Sequence, residues 1–369
     1  MSEYFRLNPA VFAVDKYYQI MMPCEKSCLF FVKVGGKCFY DESNGIMRSS
    51  NEIHRVEVPA KLLDEAKEYT VCIRPIVERK AYFTETEEII EKTYKFFPVP
   101  ESNARAYHIS DAHNLVAEPI KAAETFGDAD FLILNGDVIE DSSDPSKFMN
   151  IYEICSYLMK GEKPSVFSRG NHDLRGNYAE KFADYTPTHL CNTYYSFRLG
   201  SIWGILLDCG EDKQDDHAEY GFTVACRSFR ERQTEFLKSI IANKENEYDA
   251  ENVRHKLVIS HNAFCHRYQS PFDIEQDIFS EWTRLLRENV KPDVMICGHA
   301  HELNVYYPEN TAWNTNGSVC PVVIGSNVKK SSPTYFAGCG YVFNNDSIEV
   351  IFTDSNGKIL NKEVLPVAK

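Results

Sequence analysis

Apolar positions in the first hundred residues come in short extended runs separated by turn residues. Residues 29–34 are followed by Gly35-Gly36 and then by 37–40, a hairpin signal. Residues 54–58, 69–73 and 88–97 continue the series, and short strands with turns between them predict a small β-sandwich over residues 1–97. Residues 98–103, with Pro98 and Pro100, read as a linker, because prolines cannot donate to a ladder and favour extended chain. Over 104–369 the pattern changes. Strand-like runs at 106–109, 131–134, 165–167, 202–207, 256–259 and 294–297 alternate with helix-like segments. Phe229, Phe236, Leu237, Ile240 and Ile241 form an apolar stripe at helical spacing, as do Ile274, Ile278, Trp282, Leu285 and Leu286, and both are expected to be core faces. The alternation predicts an α/β layered domain. Residues 322–324, 341–343 and 347–353 look like strands without helices between them, which predicts an antiparallel portion near the end.

Composition narrows the class. At about 100–200 residues per domain, 369 residues predict two domains, or one large domain with an appendage. Hydrophobic residues at 43% and charged residues at 25% are ordinary globular values and exclude a disordered, collagenous or coiled-coil chain. Lysine and arginine number 40 against 54 acidic residues, a net charge of −14, which disfavours general affinity for nucleic acid or an anionic membrane. A phosphate-bearing substrate stays compatible, since bound cations reverse the local sign. No apolar run approaches the roughly 20 residues of a membrane span. Residues 1–18 contain Glu3, Arg6, Asp15 and Lys16 and no apolar signal core, so a cytoplasmic location is expected. The 12 cysteines are dispersed and are expected as reduced thiols. Cys24 and Cys28, the closest pair, lack a second pair at zinc-site spacing and are read as buried or idle thiols rather than a metal site.

Candidate chemistry sits at the strand ends. The run 106–109 leads into Asp111 and His113, 131–134 into Gly136-Asp137, and 165–167 into Gly170-Asn171-His172-Asp173. The run 256–259 leads into His261, and 294–297 into Gly298-His299-Ala300-His301. In open α/β sheets ligands bind beyond the carboxyl ends of the strands. Burying so many unpaired polar groups there for packing alone would cost several kcal/mol each. Carboxylate, imidazole and amide donors suit Mn, Fe or Zn, without cysteine.

This order of motifs resembles the calcineurin-like metallophosphoesterases, from about Ala106 to His301 with tail strands after. The resemblance implies a layered β-sandwich core flanked by helices and a dinuclear metal site. One metal falls to Asp111, His113 and His301, the second to Asn171, His261 and His299, and Asp137 bridges them. It further implies attack on a phosphate ester by a metal-bridging hydroxide, with His172 protonating the leaving group. Asp173 is the expected orienter of the His172 ring, with a helix cap as its alternative. Arg175 is a candidate phosphate clamp or a plain surface arginine, and Asn262 and His266 are candidate lining residues. Tyr69, ahead of residues 70–73, resembles the tyrosine corner of immunoglobulin-like and fibronectin-type domains, with an ordinary buried tyrosine as the alternative. An all-β domain ahead of such a core is similar to the purple acid phosphatases. Those enzymes carry Gly where this chain has His113, and a ligand Tyr where it has Glu140, so a purple diiron enzyme is not expected.

The leading function is thus a dinuclear-metal phosphohydrolase acting on a small phosphate ester. A monoester is slightly favoured through Arg175. The alternative is a phosphodiesterase acting on nucleotides or cyclic nucleotides, with Tyr178, Tyr185, Tyr194 and Tyr268 available for stacking. A non-catalytic metal-binding scaffold is disfavoured because all eight motif positions are filled. A protein phosphatase requires an open site, and the segment between Asn171 and His261 is long enough to wall it in. The N-terminal region is left with three open roles: edge cover, partner binding, or a dimer contact through which the chain forms an oligomer.

Overall fold

The computed structural model describes residues 3–42, 45–328 and 334–367. Two sheets face each other across a common core. Phe131–Asn135 is buried at every position, as a parallel strand covered on both faces requires. It pairs in parallel with Ala104–Ile109 on one side and Ser165–Ser168 on the other. The chain continues this sheet to nine strands, in the order Ile359–Pro366, Ser347–Asp354, Ala337–Phe343, Ala104–Ile109, Phe131–Asn135, Ser165–Ser168, Ala10–Val14, Tyr17–Pro23, Ile53–Pro59. The facing sheet has six, in the order Tyr195–Leu199, Ile202–Leu206, His255–Ile259, Val294–Cys297, Val322–Gly325, Leu303–Tyr306.

Alternation along the six-stranded sheet divides its side chains between two cores. Leu206, Leu257, Ile259, Ile296 and Val323 join Ile109 and Leu134 in the core shared with the large sheet. Ile205, Val258, Met295 and Ile324 face outward onto the helices Cys226–Ala242 and Gln276–Leu285. Leu237 and Ile240 of the first helix, and Ile278, Trp282 and Leu285 of the second, are buried there, so both apolar stripes are core faces. Ala117–Phe126 and Met149–Leu158 cover the nine-stranded sheet. No helix of the described residues is long and apolar enough to cross a membrane.

The N-terminal region is all-β apart from short helical turns, and its strands divide between two sheets. Ala10–Val14 is buried at every position and lies parallel to Ser165–Ser168, with Phe12 opposite Ser165. Tyr17–Pro23 and Ile53–Pro59 follow it and end the large sheet. Cys28–Val34, Lys37–Tyr40, Glu68–Glu78, Glu85–Thr86 and Ile90–Lys95 form a separate five-stranded sheet. The large sheet therefore runs across residues 98–103. A fully buried strand such as Ala10–Val14 needs a neighbour on each side: Tyr17–Pro23 supplies one and Ser165–Ser168, far away in sequence, the other. Tyr69 is no tyrosine corner, because its hydroxyl donates to Gly161 beyond its own sheet. Val322–Gly325 is not part of the antiparallel tail either: it runs parallel to Val294–Cys297 within the α/β layer. The tail is the meander of Ala337–Phe343, Ser347–Asp354 and Ile359–Pro366.

Candidate metal centre

Parallel strands of both sheets end at one rim, and the residues just beyond their carboxyl ends meet there. Asp111, His113, Asp137, His299 and His301 all adopt left-handed backbone, with φ between 45° and 67°. Such conformations cost about 1–3 kcal/mol each in non-glycine residues and persist only where their surroundings fix them. Here the fixing bonds run from loop to loop. The amide of Asp111 donates to the Gly136 carbonyl at 3.1 Å, that of His113 to the Asp137 carbonyl at 3.0 Å, and that of His299 to Asp111 Oδ2 at 2.9 Å. Gly170 is required by close approach: a Cβ there would lie 2.2 Å from Asp137 Oδ1.

The two oxygens of Asp111 have opposite surroundings. Oδ2 accepts from the Ser110 hydroxyl, the Ser326 hydroxyl and the His299 amide. Oδ1 is buried without a hydrogen-bond partner, 3.6 Å from His301 Nε2 and 3.9 Å from Nε2 of both His113 and His261. Asp137 Oδ2 lies 3.1 Å from His261 Nε2, and the Asn171 side-chain amide donates to His299 Nδ1 at 3.0 Å and accepts from Arg175 Nη2 at 3.1 Å. Donor atoms of Asp111, His113 and His301 form one close group, and those of Asp137, His261 and His299 a second.

Main-chain carbonyls and a carboxylate turn the rings. His261 Nδ1 pairs with the Asn135 carbonyl at 2.7 Å and His301 Nδ1 with the Asn327 carbonyl at 2.9 Å. His113 Nδ1 faces the Glu140 carboxylate at 2.9 Å. Each carbonyl accepts a proton from Nδ1 and leaves the Nε2 lone pair aimed inward, the outer-shell arrangement of metal-bound histidine. Burial opposes ionisation of Asp111 and Asp137, yet His261 beside them holds both below the usual carboxylate range. Burial likewise works against a charge on His261, but Asp137 and Asp111 favour positive charge at that ring, a charge that a bound cation would supply in place of a proton. Burial and His261 push His299 down to about 4. A bare carboxylate oxygen ringed by imidazole lone pairs is a donor set that fits two cations of borderline or hard character.

The remaining candidates fall differently. His172 Nδ1 pairs with the Glu140 carbonyl at 2.7 Å, and its amide donates to Asp137 Oδ1 at 2.9 Å. Asp173 does not touch that ring and does not cap a helix. Its Oδ2 accepts from the amides of Gly170 at 2.8 Å and Asp137 at 3.3 Å, tying two ligand loops together. Burial first, and Asp137 second, push its carboxyl up to about 8. Arg175 is not a surface arginine, nor is its charge free. Glu211 takes it at two points, both 2.9 Å, with Asp212 and Glu219 each at 3.4 Å. Asn262 and His266 line a small cavity that also includes Asp212, Tyr268, Phe272 and His299. Of the four tyrosines considered for stacking, Tyr268 meets the His299 ring at 5.8 Å, while Tyr194 packs on Phe229 and Phe236 and Tyr185 on Phe148.

Ser326 and Asp212 escaped the sequence reading, and Glu140 entered it only as the residue standing where purple acid phosphatases carry a ligand tyrosine. Ser326 follows the strand Val322–Gly325 and Asp212 lies shortly after Ile202–Leu206, so the rule of strand carboxyl ends applied to them as well. The ligand-tyrosine position of Glu140 placed it beside the centre, while its contacts with His113 and His172 come from the fold.

A sequence model described as calcineurin-like phosphoesterase matches residues 104–303. No curated protein matches the chain. Among solved structures, a purple acid phosphatase from seeds of yellow lupin (Lupinus luteus) is similar over 97% of this chain and 74% of its own, with TM-score 0.62 and 13% identity. A dimetal phosphatase from Danio rerio is similar over 72% of this chain and 100% of its own, with TM-score 0.49 and 11% identity.

Proposed function

The chain belongs to the calcineurin-like phosphoesterase family, a metal-dependent phosphoester hydrolase with a dinuclear metal site, and from that premise we propose that it cleaves phosphodiesters with His172 as the general acid. Asp111, His113 and His301 would hold one cation, and Asn171, His261 and His299 the other, with Asp137 between them. When bound, the two cations supply Lewis acidity and a water nucleophile at neutral pH. The observation that carries the role of His172 is its ring placement. Nδ1 is engaged by the Glu140 carbonyl, the ring edge meets His113 at 4.8 Å, and Nε2 makes no hydrogen bond among the described residues. A proton held at Nε2 is thus available to a departing oxygen. Asp173, by bracing Gly170 and Asp137, positions Asn171 and His172 rather than acting on substrate.

Charge supports the diester. The expectation of a monoester rested on a free Arg175, and that guanidinium is matched by Glu211. Lys213 is in turn held by Asp212 at 3.0 Å and Glu219 at 3.1 Å. Three acids neutralise two bases, so neither Arg175 nor Lys213 is free to take the second charge of a monoester. Comparing bis-p-nitrophenyl phosphate with p-nitrophenyl phosphate holds the leaving group constant, and the diester should show the higher kcat/KM; the reverse order overturns this preference. For His172, general acid catalysis is worth roughly 10²–10⁴-fold. His172→Ala should lose about that much on an alkyl ester, far less on a nitrophenyl ester, and retain its metals. His299→Ala should depress both alike. Equal losses for His172→Ala with metals intact would remove the general-acid role.

A further inference from the structure

Away from the phosphoesterase centre, the N-terminal layers enclose a second convergence of ligand atoms. Cys24 follows Tyr17–Pro23, Cys28 opens Cys28–Val34, and His54 lies on Ile53–Pro59, so the cluster straddles the large sheet and the small one. One donor atom from each of the three residues lies within 4.8 Å of the others. All three are buried, Cys28 and His54 completely. The main-chain amide of Cys24 donates to the Glu52 carbonyl at 2.7 Å, which pins it beside the His54 strand. Phe30 stacks on the His54 ring at 5.2 Å and 10° and fixes its plane.

The tautomer is set by Asp41, whose Oδ2 lies 2.7 Å from His54 Nδ1. A carboxylate only accepts, so Nδ1 carries a proton and Nε2 is the ring atom left facing Cys28 Sγ, 3.4 Å away. With Zn–S near 2.3 Å and Zn–N near 2.0–2.1 Å, the edge of a tetrahedral site between such ligands is about 3.5 Å. The observed separation is already that of two ligands on one ion. Carboxylate, histidine and thiolate in this order form the outer and inner shells of a soft-metal site.

We infer that Cys24, Cys28 and His54 bind a soft metal ion, Zn²⁺ by ligand type, with Asp41 orienting His54 and water as the fourth ligand. Cys24 also lines a cleft of about 500 Å³ with Glu25 and Glu52, so the cluster borders this cleft through Cys24. The ion would staple the two N-terminal layers, and it takes no part in phosphoester cleavage.

The probe is Co²⁺ added to the full chain stripped of metal. None of the seven phosphoesterase ligands is a thiol, so a thiolate-to-cobalt charge-transfer band in the near ultraviolet reports cysteine ligation, and its loss in Cys28→Ser assigns it to this cluster. The band should appear in the natural chain, vanish in Cys28→Ser, and require about 10–100-fold more Co²⁺ in Asp41→Ala. Zinc-loaded Cys28→Ser should hold one metal fewer per chain while its phosphoesterase turnover stays unchanged. If Cys28→Ser does not fold, the cobalt titration of the natural chain decides by itself. Absence of the band overturns the site, as does a Cys24–Cys28 disulfide found by mass spectrometry in the freshly isolated protein.

Discussion

The hydroxyl of Tyr69 donates to the main-chain carbonyl of Gly161 at 2.6 Å, joining the small N-terminal sheet to the turn after the helix Met149–Leu158. The phenol is 1% exposed and stacks on Tyr94 at 5.3 Å. Tyr69→Phe leaves the ring packing intact and strands a buried carbonyl, which costs about 1–3 kcal/mol. Calorimetry should show a melting temperature lower by several degrees. Turnover should not change, since the bond lies far from the rim where the ligands meet.

Glu140 serves the centre twice, by its carboxylate on His113 and by its carbonyl on His172. Substitution removes only the first. Glu140→Ala should weaken metal binding or activity by about 10–100-fold, the usual effect of losing an outer-shell partner. The selective loss on alkyl esters that marks His172 should stay absent. Metal titration of the stripped protein, followed by assays with paired leaving groups, separates the two contributions.

Gly170 has no room for a side chain. The methyl of Gly170→Ala would meet Asp137 Oδ1 at 2.2 Å and Asp137 N at 2.6 Å, so the carboxylate must move. Displacements of about 1 Å in a catalytic constellation cost on the order of 10²-fold. Elemental analysis should find less than the full complement of metal, and turnover should fall by at least that factor.

Asp293 carries a pH signature unconnected with catalysis. Burial pushes its carboxyl up to about 6, against the opposing Lys256 amide, which donates to Oδ2 at 2.7 Å. Its folded-state value lies above the unfolded value of about 3.9, so its contribution is fully present below pH 4 and is lost as pH rises to about 6. Asp293→Asn removes this dependence. Relative to the natural chain, the variant should gain up to about 3 kcal/mol between pH 4 and pH 6 and no more above it. Urea midpoints of the two proteins at pH 4, 5, 6 and 7 provide the comparison.

The sequence exposed the centre far better than its surroundings. Asp111, Asp137, Asn171, His261 and His299 each stand just past an apolar strand, and strand and ligand are neighbours in the chain, so a local reading finds both. Arg175 and Asp173 were misread because their partners are decided by tertiary approach. Glu211 reaches Arg175 from another loop, and Asp173 serves the backbone of Asp137, 36 residues away. The same holds for the N-terminal strands. Residues 53–59 look alike in sequence whether they belong to a closed sandwich or to the end of a longer sheet. Only the pairing of Phe12 with Ser165 distinguishes these cases, and no local pattern encodes it.

That pairing bears on how the chain can be cut. Because Ala10–Val14 lies between Ser165–Ser168 and Tyr17–Pro23, a fragment beginning after residue 103 would convert an interior strand of the large sheet into a naked margin. Ser165–Ser168 is buried throughout and carries no charge to discourage a neighbour, so its freed amides and carbonyls would recruit the same strand of another copy. The N-terminal segment thus acts as a built-in guard against self-association, and the phosphoesterase half cannot be lifted out as a free-standing module without supplying a replacement strand.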